Sequence, residues 1–156
     1  VASGGVRCAC GGYGHLTTVA SAQSLVRMMI GRLVEAPAAE AAVMALTGGR
    51  AEALTAPQIW QLACEGDSVA RDLMDLAVTA LAIAVIFHFL ALDVERVIIG
   101  GALAQCGDSW LAALREQVAL SAPPTRADDL AGRVVLSELR PAAILRGTGA
   151  LAQRAI

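Results

Sequence analysis

The chain has 156 residues, of which 56% are hydrophobic and 17% are charged, and its formal net charge at pH 7 is −2. This length and apolar content suit one packed domain. The nearly balanced charge excludes the basic surface typical of nucleic-acid binding and the polybasic patch typical of membrane attachment. Four irregularly spaced cysteines, with no signal-peptide pattern, favour a cytoplasmic protein without a disulfide framework.

Three potential metal ligands, Cys8, Cys10 and His15, lie within eight residues near the start of the chain. In an extended segment residues i and i+2 face the same side, so both sulfurs can reach one point. The intervening glycines can adopt positive φ angles, which lets the chain turn and bring His15 to that point. Thiolate and imidazole groups favour zinc, which takes four ligands in a structural site. From the residues alone, two free thiols in a flexible loop remain an equal alternative.

The segment Arg7–Ser21, RCACGGYGHLTTVAS, resembles the zinc signature of the ROK family, which is named for its repressors, open reading frames and sugar kinases. That signature is C-x-C-G-x-x-G-C-L-E-x-x-x-S. His15 stands where the family has its third cysteine, an exchange that zinc tolerates. Thr17 stands where the family has a glutamate that contacts the sugar, and its hydroxyl is a weaker, neutral partner. The resemblance implies a structural zinc at Cys8, Cys10 and His15, with Thr17 at a sugar-binding site.

The resemblance also implies a domain organisation. In the family the fourth zinc ligand is a histidine that would lie before Val1, and the catalytic aspartate of the kinases lies further upstream. Residues 1–156 are therefore expected to form one domain with an α/β fold, the C-terminal lobe of an actin-like ATPase (ribonuclease H-like). The N-terminal lobe and any DNA-binding domain are expected outside this chain. No catalytic residue is predicted within it.

Hydrophobic spacing and capping residues predict a series of helices after the metal loop. They are expected at residues 17–32, 38–46, 55–64, 69–92, 110–120 and 142–155, the last interrupted by Gly147 and Gly149. Asp67 or Ser68 is expected to cap the fourth helix, and Asp108 with Ser109 the fifth. The uncharged stretch Leu76–Leu92 is shorter than a membrane span of about 20 residues, so we interpret it as a buried, central helix.

Two segments rich in β-branched residues, Asp93–Gly101 and Arg133–Ser137, are predicted strands. Their alternation with helices favours an α/β layer architecture. Gly100 and Gly101 follow the first strand, where a backbone without side chains can approach a nucleotide, although an ordinary turn fits equally well. By the resemblance, this loop lies against the adenosine of ATP in the kinases.

The remaining candidates are interpreted as structural. His88 is expected inside the core with one hydrogen bond, and Cys64 and Cys106 as small packing residues. The two tryptophans, Trp60 and Trp110, occupy helical positions typical of core or interface residues.

The resemblance leaves the function open between three possibilities. Because Thr17 replaces the sugar-binding glutamate, we favour the sugar-sensing domain of a ROK transcriptional repressor. This domain would bind a sugar or sugar phosphate and reach DNA only through a domain outside this chain. The alternative is the C-terminal half of an ATP-dependent, glucokinase-like sugar kinase, for which ATP would be the cofactor. A third is a lobe kept for self-association, since ROK proteins are commonly dimers or tetramers. None of the three requires a membrane.

Overall fold

A computed structural model describes residues 5–139 and 143–154. Within these ranges the chain forms seven α-helices and two β-strands, joined by short 3-10 turns. In chain order they are α1 Ala22–Leu33, α2 Pro37–Thr47, α3 Ala56–Glu65, α4 Ser68–Leu92, β1 Val97–Ile99, α5 Asp108–Ser121, α6 Ala127–Gly132, β2 Val134–Leu136 and α7 Ala143–Arg154. The 3-10 turns are Leu16–Thr18, Ala51–Ala53, Leu103–Cys106 and Pro124–Arg126.

Capping side chains determine where two of the helices begin. The carboxylate of Asp67 accepts the backbone N–H of Ala70 at 2.8 Å, which confirms the predicted cap of α4. The hydroxyl of Ser21 accepts the backbone N–H of Ser24 at 3.1 Å and starts α1 there. The predicted start at residue 17 is therefore wrong, because Leu16–Thr18 forms a separate 3-10 turn before this cap.

Two other helix predictions are also wrong. Helix α5 begins at Asp108 after Gly107, without a side-chain cap, and the hydroxyl of Ser109 instead accepts the indole N–H of Trp60 at 2.9 Å. Helix α7 continues through Gly147 and Gly149 rather than being interrupted. Its predicted first and last residues, 142 and 155, lie outside the described residues.

Strands β1 and β2 form a parallel pair, with Val97 opposite Val134 and Ile99 opposite Leu136. Parallel strands require a long crossover, which α5 and α6 provide here. The α/β architecture is therefore as predicted, although each strand has only three residues. The other edge of β1 has no strand partner among the described residues.

Helix α4 lies at the centre of the helical layer, where it packs against α1, α3 and α5. The largest fully buried side chains are Trp110, Phe89, Leu25, Met29, Ile59, Leu73, Met74 and Leu114. The expected core position of Trp110 is thus confirmed, and Trp60 is half-buried. Cys106 is buried as expected, whereas Cys64 is exposed, so the packing role predicted for Cys64 is wrong.

Only one face of α4 is buried. Leu76, Ile83, Phe87 and Leu90 are exposed on the other, and Phe87 has 66% of its surface accessible. His88 is also exposed and its Nδ1 lies 2.7 Å from the carbonyl oxygen of Ala84, so its predicted place in the core is wrong.

By length and composition, α4 is the one described helix that could cross a membrane. Core helices of soluble proteins pass the same test, and 44% of the most apolar part of α4 is buried inside the protein. Since α4 packs against three other helices, we interpret it as a core helix with one uncovered apolar face.

Candidate metal site and the adjacent cavity

The metal loop, which we define as residues 6–15, is a tight hairpin. Arg7 and Tyr13 form an antiparallel bridge at its base. Inside it, the backbone N–H of Cys8 donates to the Gly12 carbonyl at 2.8 Å, and the N–H of Gly11 donates to the Cys8 carbonyl at 2.9 Å. The φ angle of Gly11 is 92°, a conformation that glycine adopts at little cost. The hairpin therefore depends on glycine at its turn.

This hairpin brings the three predicted ligands together. The sulfurs of Cys8 and Cys10 and a ring nitrogen of His15 all lie within 4.8 Å of one another, and Cys10 Sγ is 3.2 Å from His15 Nδ1. Ligand atoms around a tetrahedral zinc lie about 3.4–3.8 Å apart, so a small closure of the loop would satisfy the metal. No fourth Cys, His, Asp or Glu joins this group in the described part of the chain.

Gly12 leaves room for the imidazole. A Cβ atom at this position would lie 2.8 Å from both Cε1 and Nε2 of His15, closer than side chains pack. Because the ring occupies the space that any other residue would fill, the loop is shaped around the histidine. The residues present therefore fit a zinc ion with thiolate and imidazole ligands.

The electrostatics of the loop favour a thiolate at Cys8. The backbone N–H of Cys10, followed by the hydroxyl of Thr17, lowers the pKa of the Cys8 thiol to about 6. Since the thiolate is the form that binds a metal, much of this ligand is already deprotonated at neutral pH. Burial has the opposite effect on Cys106, raising its pKa to about 12, which is typical of an inert packing thiol.

Thr17 lies next to the metal loop, with its hydroxyl oxygen 3.7 Å from Cys8 Sγ. Its predicted contact with a sugar stays a prediction. Gly100 and Gly101 lie elsewhere, after β1, and both are exposed. Gly101 has a φ angle of 75°, which explains the need for glycine there.

The residue after Gly101, Ala102, lines a mostly apolar cavity of about 580 Å³, which we call the α1 cavity. Its lining comes from α1, from the segment that leads into α3 and from the turn after Gly101, and includes Val26, Ile30, Leu54, Pro57, Ala102 and Gln105. Sequence reasoning did not predict this cavity. The available signal was weak: Ala22, Val26 and Ile30 recur every fourth residue and so share one face of the helix.

A second apolar depression, the α4 groove, follows the uncovered face of α4. Its main part, about 560 Å³, lies between Val6 and Leu16 on one side and Leu76, Ile83 and Phe87 on the other. Leu16, Ala84 and His88 also line an adjoining depression that reaches β1. The groove therefore runs from the metal loop to the first strand of the sheet.

Comparison with known protein families places this chain beside kinases and a transcriptional regulator. The model of the ROK family matches residues 1–155. The chain is 29% identical over 134 residues to a glucokinase of Halalkalibacterium halodurans, covering 86% of this chain and 40% of that enzyme. It is 33% identical over 114 residues to a C(7)-cyclitol 7-kinase of Streptomyces hygroscopicus subsp. limoneus, covering 71% of this chain and 32% of that enzyme.

Two solved structures share the fold. The first is a ROK family glucokinase from Streptomyces griseus in complex with glucose and AMPPNP, with a TM-score of 0.75, 24% identity, and coverage of 96% of this chain and 48% of that one. The second is a ROK family transcriptional regulator, a homolog of the E. coli MLC protein, with a TM-score of 0.61 and 23% identity. It covers 85% of this chain and 31% of that one. The chain thus spans less than half the length of each of these four relatives.

Proposed function

Because this chain belongs to the ROK family, we propose that it is the sugar-recognising C-terminal lobe of a longer, actin-like ROK protein. Its coverage of less than half of each relative supports a one-lobe assignment. The α4 groove supports the assignment further. It reaches β1, which has a free edge, and parallel sheets are normally covered on both faces, so this region would be covered in the complete protein. We infer that the other part of the protein, including further strands, covers this groove.

The metal loop would serve as the structural zinc site of this lobe. Cys8, Cys10 and His15 would hold the ion, and a ligand outside the described residues or a water molecule would complete the tetrahedron. A bound zinc would fix the hairpin and the start of α1, and so the position of Thr17 at the edge of a sugar pocket.

Between the two uses of such a lobe, we favour a sugar sensor in a transcriptional repressor. The observation that carries this proposal is Thr17, which stands where the family has a sugar-binding glutamate and offers a sugar only a neutral hydroxyl. This hydroxyl lies 3.7 Å from Cys8 Sγ. A sensor needs only to bind a sugar with different affinity in two conformations of the protein, and this requires no catalytic group in the chain. DNA would be bound by another domain of the complete protein.

The second candidate is the C-terminal half of an ATP-dependent sugar kinase. Two observations favour it: the curated relatives named above are kinases, and the α1 cavity beside Gly100 and Gly101 is large enough for part of a nucleotide. In this case the adenosine of ATP would occupy the cavity, and the catalytic residues would lie in the other lobe.

One experiment separates the two functions. The protein produced from its complete gene is incubated with glucose and ATP, and ADP release is followed in a coupled assay, while glucose binding is followed by calorimetry. For a sensor we expect heat of glucose binding and no glucose-dependent ADP. Glucose-dependent ADP release that disappears in a Val26→Trp variant, whose indole would fill the α1 cavity, would instead establish the kinase.

Self-association is proposed for the chain by itself. The exposed apolar side chains of α4 form a hydrophobic patch. Because burying such a patch is favourable in water, isolated copies of the chain should associate through it. Light scattering after gel filtration should show dimers or larger species. A Phe87→Glu variant should shift them toward monomer, whereas the same change at exposed Leu120, on α5, should not.

A further inference from the structure

Buried polar side chains are rare in this protein, and they are concentrated behind the metal loop. Among the described residues, the buried ones with polar side chains are Thr18 and Ser24, with 4% and 5% of their surface accessible. Buried hydroxyls must form hydrogen bonds to compensate for lost water. Their partners therefore show what these two residues hold in place.

Both hydroxyls donate to backbone carbonyls, one at the last residue of the metal loop and one just after the loop. Thr18 Oγ1 donates to the carbonyl oxygen of His15 at 2.7 Å, and Ser24 Oγ donates to that of Thr17 at 2.7 Å. The Ser21 hydroxyl donates to Ser24 Oγ at 3.0 Å, which orients the Ser24 donor. This network fixes the backbone on both sides of Leu16, and with it the direction in which the Thr17 side chain points.

With its backbone held in this way, the side chain of Thr17 points to Cys8, and the Oγ1–Sγ distance of 3.7 Å is within the range of a hydrogen bond to sulfur. In the free thiol either atom could donate. In a zinc site the sulfur is a thiolate without a proton, so only the threonine hydroxyl can donate.

We propose that Thr17 is a positioning residue of the metal site, whose hydroxyl donates to the Cys8 thiolate and holds it toward the ion. This inference rests on the zinc site proposed above. Groups that hydrogen-bond to metal ligands orient them and commonly change metal affinity 10–100-fold. The hydroxyl has one proton, so while it donates to sulfur it can only accept from a sugar. The family signature has a sugar-binding carboxylate at this position, whereas the residue of this chain would form a hydrogen bond to a metal ligand.

The test compares Thr17→Val, which keeps the shape but removes the hydroxyl, with Thr17→Ser, which keeps the hydroxyl. Zinc affinity is measured by competition with a chromophoric chelator, and the sulfur-to-metal charge-transfer band is recorded with Co²⁺ as the probe. We expect zinc binding about 10–100-fold weaker in the valine variant and near wild type in the serine variant. Thr17 is exposed, so both variants should fold, which their melting temperatures without metal would verify.

Three results would overturn the proposal, and they differ in whether they also contradict the proposed metal site. If Thr17→Val binds zinc as tightly as wild type, the role of Thr17 is wrong and the metal site stands. If the valine and serine variants lose affinity equally, the hydroxyl is not the determinant. If the protein produced from its complete gene binds neither Zn²⁺ nor Co²⁺, the metal site itself is wrong, and this role with it.

Discussion

The metal loop precedes helix α1, whereas the α1 cavity is lined by that helix, and the two regions are built in different ways. The loop takes its three candidate metal ligands from eight consecutive residues, Cys8 to His15, and short-range backbone hydrogen bonds hold them. The cavity combines residues from 22–30, 52–57 and 102–105, which only the packing of α1, α3 and the turn after β1 brings together. The loop should therefore respond to local changes, and the cavity to changes in the core.

The largest effect is expected from removing both sulfurs of the loop. A Cys8→Ser/Cys10→Ser variant should lose the zinc that the wild-type chain binds, about one ion per chain, because hydroxyls are poor zinc ligands. Metal analysis of the purified protein measures this directly. Cys64→Ser is the matched control, since this exposed cysteine lies outside the cluster, and it should keep its zinc. Zinc retained by the double variant would contradict the assignment of the site.

A substitution in the core should lower the stability of the fold without affecting the metal loop. Leu114 on α5 is fully buried, so Leu114→Ala should lower the free energy of unfolding by about 2–5 kcal/mol in urea denaturation. Zinc affinity, measured well below the melting temperature, should remain unchanged because the ligands and their hydrogen bonds are local.

The control on the same helix is Leu120→Ala. Leu120 is exposed, and its truncation should alter stability by less than about 0.5 kcal/mol. A parallel loss of zinc affinity and stability in Leu114→Ala would show that the loop depends on the core after all.

A smaller effect is expected at Gly12. The methyl group of Gly12→Ala would displace the His15 ring, from which it would be 2.8 Å away, and zinc affinity should fall by about tenfold or more. Chelator competition measures the loss.

Gly31→Ala is the matched control for Gly12. Gly31 lies within α1 and a Cβ atom there would meet nothing within 4 Å. This change should leave zinc affinity unchanged and stabilise the helix by about 0.5–1 kcal/mol. Equal zinc affinity in the two glycine variants would indicate that His15 is not a ligand.

Predictions from sequence were accurate where short-range patterns decide the structure. Asp67 is a predictable cap of α4, because an acidic side chain before an apolar run can accept the first free N–H groups, and the structure confirms it. The capping prediction failed at Ser109, whose hydroxyl is engaged by Trp60, a residue far away in the chain. His88 is predicted in the interior because apolar residues surround it in sequence, and Cys64 because free cysteines are usually buried, but their places on the helices direct both outward.

The helical pattern, the α/β class, the family and the three residues of the candidate metal site could be predicted from the sequence alone, because each is encoded in short stretches of the chain. The sequence did not predict that Thr17 contacts Cys8, that Thr18 and Ser24 form hydrogen bonds to the backbone next to the loop, or that α1 borders a cavity beside Gly101. Nor did it predict which face of α4 is left uncovered. The contacts of Thr17, Thr18 and Ser24 span three to nine residues, but they depend on how the hairpin folds against α1. The cavity and the uncovered face depend on packing between helices, and hydrophobic spacing does not specify which apolar face meets which partner.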